Sequence, residues 1–131
     1  LQIGNQDLEQ EYVRLFLSPD HAACLPWQSV YADPPQLLGD AHHAALAWYR
    51  RHGMEPSRDH EPADHAGLLL SFYGTLVASG APPSELALFR RQHLDWLTGF
   101  STKLAAATRI PLYRLAADLI RALVEDPEAA S

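Results

Sequence analysis

The sequence predicts an all-α fold, a single-domain helical bundle. Apolar residues make up 47% of the 131 residues and charged residues 20%, which suits a folded chain with one core. Leucine and alanine are frequent, while isoleucine and valine, which strands select, are scarce. Apolar residues recur at intervals of three and four, and no alternating run is long enough for a strand. The pattern therefore predicts five helices, separated by proline and glycine.

The first predicted helix runs from Asp7 to Leu17 and ends at Ser18-Pro19, because a residue before proline disfavours the helical conformation. Its apolar face consists of Leu8, Tyr12, Leu15 and Phe16. The following segment, 21–35, is interrupted by prolines and polar residues. It predicts a loop with at most one short turn.

The second predicted helix starts at Pro35 or just after it and ends near His52-Gly53, where glycine suits a left-handed cap. Its inner side consists of Leu38, Ala41, Ala45 and Trp48. The third predicted helix opens at Pro62, runs to Ser79 and is ended by Gly80. Its apolar stripe consists of Leu68, Leu69, Phe72, Tyr73 and Leu76.

The fourth predicted helix is long and begins at Ser84-Glu85. A bend is expected at Thr98-Gly99, because glycine weakens a helix interior. Its apolar positions are Leu86, Phe89, His93, Trp96, Leu97, Phe100 and Leu104. The last predicted helix begins at Pro111 and ends at Asp126-Pro127, with an apolar face of Leu112, Leu115, Leu119 and Leu123.

The densest cluster of polar side chains lies at 60–65, where a polar loop becomes a helix. Pro62 suits the first helical position, and Asp64 would place negative charge in the first turn, against the helix dipole. His65 shares a face with the core leucines, so it needs a hydrogen-bond partner, which Asp64 or a backbone group could supply. The residues alone favour this structural interpretation over a functional one.

Metal binding and catalysis have little support in the sequence. Glu61 and His65 are four residues apart, but a zinc site needs three or four convergent ligands, and the adjacent His42 and His43 should diverge around their helix. Cys24 has no neighbouring His or Lys to activate it, and phosphate-binding glycine loops are absent from the sequence. We therefore predict no catalytic residue, no metal and no cofactor. A small metal- or nucleotide-dependent hydrolase using Glu61, Asp64 and His65, and a purely structural helical adaptor, stay open as alternatives.

Charge and cysteine content restrict the partners and the compartment. The net charge of −6 disfavours nucleic acid and suits a basic ligand. With Cys24 alone, an internal disulfide is not available, which fits a reducing compartment. The sequence has no stretch of about 20 apolar residues that could span a membrane and no secretory signal, so a cytoplasmic location is expected. Because the chain begins at Leu1 rather than at Met, we expect it to begin inside a longer protein.

Aromatic residues are concentrated in and before the loop 21–35. Trp27 and Tyr31 lie in it and follow Tyr12 and Phe16 on the first helix. Such rings can close the end of a helical bundle, or they can form a groove for an apolar or amphipathic peptide. The residues alone leave both interpretations open.

Five motifs, in order along the chain, resemble those of the TorD/DmsD/NarJ family of redox-enzyme maturation chaperones. Each match is weak alone, but together they span nearly the whole chain. Ala66 and Leu112 depart from the family pattern, which bears on the subfamily. The motifs are E-Y-V-R-L-F at 11–16, P-W-Q-S-V-Y at 26–31, E-P-A-D-H at 61–65, H-L-D-W-L at 93–97 and P-L-Y-R-L-A at 111–116.

The resemblance implies a function and a site. Members of the family bind the twin-arginine leader peptide of a molybdenum oxidoreductase, such as a DMSO or TMAO reductase, and hold its apo form in the cytoplasm until the cofactor is inserted. They are usually longer by about two N-terminal helices, and whether this chain is a monomer or a homodimer stays open. The resemblance implies a peptide-binding role for Glu61 and Asp64 as carboxylates, Pro62 beside them, His65 as the buried partner of Asp64, Pro26 and Ser29 as loop-shaping residues, and Tyr12, Phe16, Trp27 and Tyr31 as apolar walls.

Overall fold

A computed structural model of the chain describes residues 5–17, 24–32, 34–55 and 62–125. In these ranges the chain forms α-helices and helical turns and no strand, which confirms the predicted all-α helical fold class. Within these ranges, Trp27 and His65 form a single isolated antiparallel β-bridge. The helices are α1 (Asn5–Tyr12), α2 (Asp40–Arg51), α3 (Ala66–Ala78), α4 (Pro83–Phe89), α5 (Leu97–Ala107) and α6 (Pro111–Glu125).

Backbone contacts group the described residues into two compact units. The terminal unit contains those of Leu1–Pro26 and Leu97–Pro127, and the central unit contains those of Trp27–Trp96. In the terminal unit, α1 continues into a wider π-type turn, Val13–Leu17, so the predicted first helix is confirmed over its length but not as one regular helix. The buried apolar side chains of this unit are Leu15, Cys24, Leu97, Phe100, Leu104 and Ala117.

Glu11 joins α1 to the connection between α5 and α6. It is only 7% exposed and accepts hydrogen bonds from Thr108 Oγ1 at 2.8 Å and from the Arg109 N–H at 2.7 Å. Arg14 pairs with it at 2.7 Å and also donates to the Ala107 carbonyl at 2.6 Å. The buried carboxylate therefore satisfies donors from residues almost a hundred positions away in sequence.

The core of the central unit is aromatic. Phe89 is fully buried, and its ring centroid lies 5.2 Å from those of both Trp48 and Phe72. Tyr49 packs on Phe72 from α2, with ring centroids 4.9 Å apart. Edge-to-face and tilted rings at these separations add to the stabilisation from burial. The predicted apolar stripes of the third and fourth helices supply Phe72 and Phe89, and α2 supplies Trp48 and Tyr49.

Two predicted helix starts are wrong. The second helix begins at Asp40 rather than Pro35, because the Gln36 N–H bonds to the Ser29 carbonyl at 3.1 Å and the chain then turns through Leu38 at a φ of +59°. Leu38 is consequently 51% exposed instead of lining the helix. The third helix begins at Ala66 rather than Pro62, so Asp64 lies before the helix and not in its first turn.

The long fourth helix of the prediction is interrupted. Here α4 passes into a π-type turn, Arg90–Leu94, and a hydrogen-bonded turn at Asp95-Trp96 precedes α5. This interruption lies before the predicted Thr98-Gly99, which belong to α5, and it explains why the described residues contain six α-helices where five are predicted.

The predicted inner face of the last helix is also wrong. Leu112, Leu115 and Leu119 are 51%, 56% and 62% exposed, whereas the buried residue of α6 is Ala117. Apolar side chains therefore occupy a wider arc of the α6 surface than the arc that packs against other described residues.

Candidate functional site

The turn before α3 and the segment 27–31 are joined through Asp64. The Asp64 side chain is fully buried, and its Oδ2 accepts the Ser29 N–H at 2.7 Å. Its backbone carbonyl accepts the Gln28 N–H at 3.2 Å, and a bridge links Trp27 to His65. A buried carboxylate is stable only where hydrogen bonds replace its hydration, and the Ser29 amide supplies one. Residues from two of the five motifs are thereby brought together.

His65 differs from its prediction as a core-facing helical residue. It precedes α3 and caps it, since its Nδ1 accepts the Gly67 N–H at 3.0 Å. The side chain is half-buried, and its ring meets the Trp27 ring edge-on with centroids 6.1 Å apart. The Oδ2 of Asp64 accepts the Ser29 N–H, and the pairing of His65 with Asp64 that the resemblance implies stays a prediction.

Helix α2 holds the same turn from its other side. His42 Nδ1 accepts the Ala63 N–H at 2.8 Å, and the Tyr49 hydroxyl donates to the Ala63 carbonyl at 2.6 Å. Burial lowers the pKa of His42, and burial raises the pKa of Tyr49, so both side chains are neutral. Neither residue was singled out from the sequence for this role, because helical periodicity does not reveal which distant backbone group a side chain reaches.

Gln28 links the segment 27–31 to the π-type turn Arg90–Leu94 that follows α4. Its Nε2 donates to the Gln92 carbonyl at 2.7 Å, so its Oε1 is the acceptor that faces His93 Nδ1 at 2.9 Å. Burial lowers the pKa of His93 to about 4, so its ring is neutral and carries its proton on Nδ1. The side-chain oxygen of Gln92 in turn accepts from Trp48 Nε1 at 2.8 Å. This network was likewise missed from the sequence.

Four buried polar atoms around this turn have no hydrogen-bond partner within the described part of the chain. Three of them are able to accept a hydrogen bond, so the region has more acceptors than donors. The atoms are Trp27 Nε1, Ser29 Oγ, Asp64 Oδ1 and His93 Nε2.

The other predicted site residues of the central unit are more accessible. Tyr31 is 36% exposed and stacks on Trp96, with ring centroids 5.6 Å apart. Pro62 is half-buried at the start of the turn. Glu61 lies outside the described residues. Pro26 is buried and belongs to the terminal unit.

Tyr12 and Phe16 lie in the terminal unit, where their rings are 5.2 Å apart. Phe16 also meets the Tyr113 ring edge-on at 5.9 Å, and Tyr12 is 44% exposed. An apolar groove of about 450 Å³ lies beside them, lined by Leu8, Glu9, Tyr12, Val13 and Tyr113. The predicted site residues thus form two groups, one in each unit.

The described residues offer no metal site and no membrane span. The rings of His42 and His43 lie 5.0 Å apart, so they do not diverge as expected, yet no described group of three His, Cys, Asp or Glu residues could hold a metal ion. Among the helices that the structure describes, none is long and apolar enough to cross a membrane.

Comparison with known proteins places this geometry in context. The family model described as nitrate reductase delta subunit matches residues 2–102. The chaperone protein TorD of Vibrio vulnificus is 28% identical over 91% of this chain, and that of Vibrio cholerae is 30% identical over 95%. The Tat proofreading chaperone DmsD of Salmonella paratyphi A is 29% identical over 90% of this chain.

A solved structure has the same fold. It is described as a candidate redox enzyme maturation protein from Archaeoglobus fulgidus, and it is 26% identical with a TM-score of 0.75 over 95% of this chain and 70% of its own. The matches span 61%, 62% and 59% of the TorD and DmsD relatives, so the chain covers about three fifths of their length.

Proposed function

Because this chain belongs to the nitrate reductase delta subunit family, we propose that it acts as a chaperone in the maturation of a molybdenum-containing redox enzyme. In this proposal it binds the twin-arginine leader peptide of the apoenzyme in the cytoplasm, and its release permits export after the cofactor is inserted. The names of the TorD and DmsD relatives support a chaperone rather than an enzyme.

The proposal rests mainly on one observation, which is that hydrogen bonds join the turn 62–65 to the segment 27–31. The bonds from Gln28 and Ser29 to Asp64 hold the two segments together, and bonds from α2 and from His93 hold the pair in place. A site fixed by hydrogen bonds from several elements loses little entropy when it binds a flexible peptide.

Asp64 acts in this proposal as a positioning residue. Because its side chain is fully buried, a leader arginine does not reach it without rearrangement. Its carboxylate instead fixes the backbone of Ser29 and so the placement of Trp27 and Tyr31, whose rings offer apolar surface to the peptide.

The apolar stretch of a leader also needs a surface. The groove beside Tyr12 in the terminal unit is lined mainly by apolar side chains, and Glu9 is also among its lining residues. It suits an apolar side chain, and the net charge of −6 suits a basic peptide.

The test is calorimetric titration of the protein with a twin-arginine leader peptide, a twin-lysine version and a scrambled version. We expect micromolar binding of the first and about tenfold weaker binding of the other two, because guanidinium groups make bidentate hydrogen bonds that ammonium groups lack. Asp64→Asn should weaken binding by a similar factor. The matched control is Asp118→Asn, which removes one exposed charge from α6 and should bind as the unaltered protein does.

Two outcomes would contradict the proposal. Equal affinity for the leader and its scrambled version indicates a structural adaptor. Stoichiometric metal in the purified protein that is lost in His65→Ala indicates the hydrolase alternative.

A further inference from the structure

A small cleft of mixed polar and apolar lining lies beside Ser29, at the beginning of α2. Its volume is about 110 Å³, and its walls combine the polar groups of Ser29, Gln36 and Asp40 with Gly39 and the apolar side chains of Ala32, Pro34 and Ala41. That is room for a few water molecules, at about 30 Å³ each, or for one small planar group. Ser29 is 2% exposed, and its Oγ has no hydrogen-bond partner among the described residues. The cleft therefore contains a buried polar atom that has no hydrogen-bond partner among the described residues around it.

Gly39 keeps this cleft open. A Cβ at this position would lie 3.1 Å from the Gln36 carbonyl oxygen and 3.5 Å from Ser29 Oγ. The φ of Gly39 is −82°, a value open to any residue, so the backbone conformation does not require glycine there. Because glycine has no side chain, space remains beside the Gln36 carbonyl oxygen and Ser29 Oγ, and both oxygens can accept hydrogen bonds.

Charge decides which kind of group the cleft suits. The first turn of α2 has a partial positive charge of about half a unit, and Gly39 offers no side-chain cap. Asp40 supplies a full negative charge at the same place, is exposed, and has no ion pair with another described residue. The net local charge is therefore negative, which favours a cation and disfavours a phosphate or a carboxylate.

The surface next to the cleft is apolar. Leu37 and Leu38 form the turn between Gln36 and Gly39, and they are 50% and 51% exposed. A ligand that fills the cleft with a cation and continues along these leucines would carry a positive group beside an apolar stretch. A leader peptide with arginines before its apolar residues has this chemistry.

We infer that this cleft is the subsite for one arginine side chain of the bound peptide, with its guanidinium between Asp40, Ser29 Oγ and the Gln36 carbonyl. The planar guanidinium has five N–H donors, which matches a site lined by separate acceptors. The inference rests on the proposed function for the identity of the peptide, but the arginine selectivity of the cleft is a property of these residues alone.

The experiment uses amide chemical shifts of the isotopically labelled chain. The probes are the blocked dipeptides acetyl-Arg-Arg-amide and acetyl-Lys-Lys-amide, with sodium acetate as the anionic probe, followed by the leader peptide. We expect the arginine dipeptide to shift the Gly39 and Asp40 amides at concentrations roughly tenfold below those needed by the lysine dipeptide. Asp40→Asn and Gly39→Ala should each abolish this preference, while Asp118→Asn should retain it.

The outcomes separate the two proposals. If the arginine dipeptide shifts Gly39 and Asp40 but the leader binds nowhere, the subsite stands and the proposed function fails. If the leader binds with shifts elsewhere only, and Asp40→Asn leaves its affinity unchanged, the subsite is overturned and the proposed function stands. A response to acetate in place of the arginine dipeptide, or equal responses to arginine and lysine, also overturns the subsite. Folding of the variants is checked by their dispersed spectra.

Discussion

At the scale of single residues, the buried ionisable groups show how the chain joins distant segments. Hydrogen bonds from Arg14, and further ones from Arg109 and Thr108, hold the pKa of Glu11 at about 2, well below its ordinary value of 4.5. In the unfolded chain these donors are absent, so the same carboxyl takes up its proton at a higher pH. The folded state therefore gains stability from Glu11 above pH 4.5 and loses it as pH falls from there towards 2.

This linkage gives a pH-dependent prediction. Glu11→Gln should lower the free energy of unfolding at pH 7 by about 2 kcal/mol, because charge-assisted hydrogen bonds to three donors are weakened. The loss should shrink as pH falls from 4.5 towards 2, where the unaltered protein also loses this contribution. Urea denaturation at a series of pH values measures both. A difference between the two proteins that stays constant down to pH 2 would show that the ionised form of Glu11 is not the stabilising one.

At the scale of helices, the starts of α2 and α3 show where a local pattern ceases to be informative. Pro35 and Pro62 both suit a first helical position, yet each is followed by a turn whose bonds go to distant residues. Gln36 bonds to Ser29, and Ala63 is held by His42 and Tyr49. Periodicity and proline placement are local signals, so they identify the helices. They do not show that hydrogen bonds to residues outside the helix hold the chain in a turn where the local pattern predicts the helix to begin.

The cap of α3 can be tested directly. His65→Ala removes the acceptor for the Gly67 N–H and should lower the free energy of unfolding by about 1 kcal/mol. His65→Asn should recover most of this loss, since asparagine is a strong N-cap residue. Thermal unfolding followed by circular dichroism measures the change. Equal destabilisation by both substitutions would mean that the contact with the Trp27 ring, and not the cap, is what His65 contributes.

At the scale of the whole molecule, the fold class and the family were accessible from the sequence, whereas the arrangement of the site was only partly so. The all-α class follows from apolar spacing, and the motifs at 26–31 and 61–65 identify segments that do meet through Asp64 and Ser29. The sequence did not show that Asp64 is fully buried, because burial depends on packing from α2 and from the α4 region. Nor did it divide the aromatic residues between two units.

The net charge of −6 leads to a prediction for the binding of a basic leader peptide. Attraction between the acidic surface and the arginines is screened as ionic strength rises, and the Debye length falls from about 10 Å at 0.1 M salt to about 3 Å at 1 M. We expect the affinity to fall several-fold over this range, with most of the loss in the association rate. Stopped-flow fluorescence of a labelled peptide separates the two rates. An affinity that rises with salt would indicate that apolar contacts, not charges, dominate recognition.

The exposed leucines of α6 have a consequence for the colloidal behaviour of the protein. Leu112, Leu115 and Leu119 form an exposed apolar strip on α6. Such strips favour association between molecules that approach closely. Like-charge repulsion between molecules of net charge −6 opposes that approach. The repulsion vanishes near the isoelectric point of about 5.5 and is screened in concentrated salt, so we expect self-association through this strip to increase under both conditions. We therefore expect light scattering to show the least association near pH 7 at low salt, where the net charge is largest and least screened.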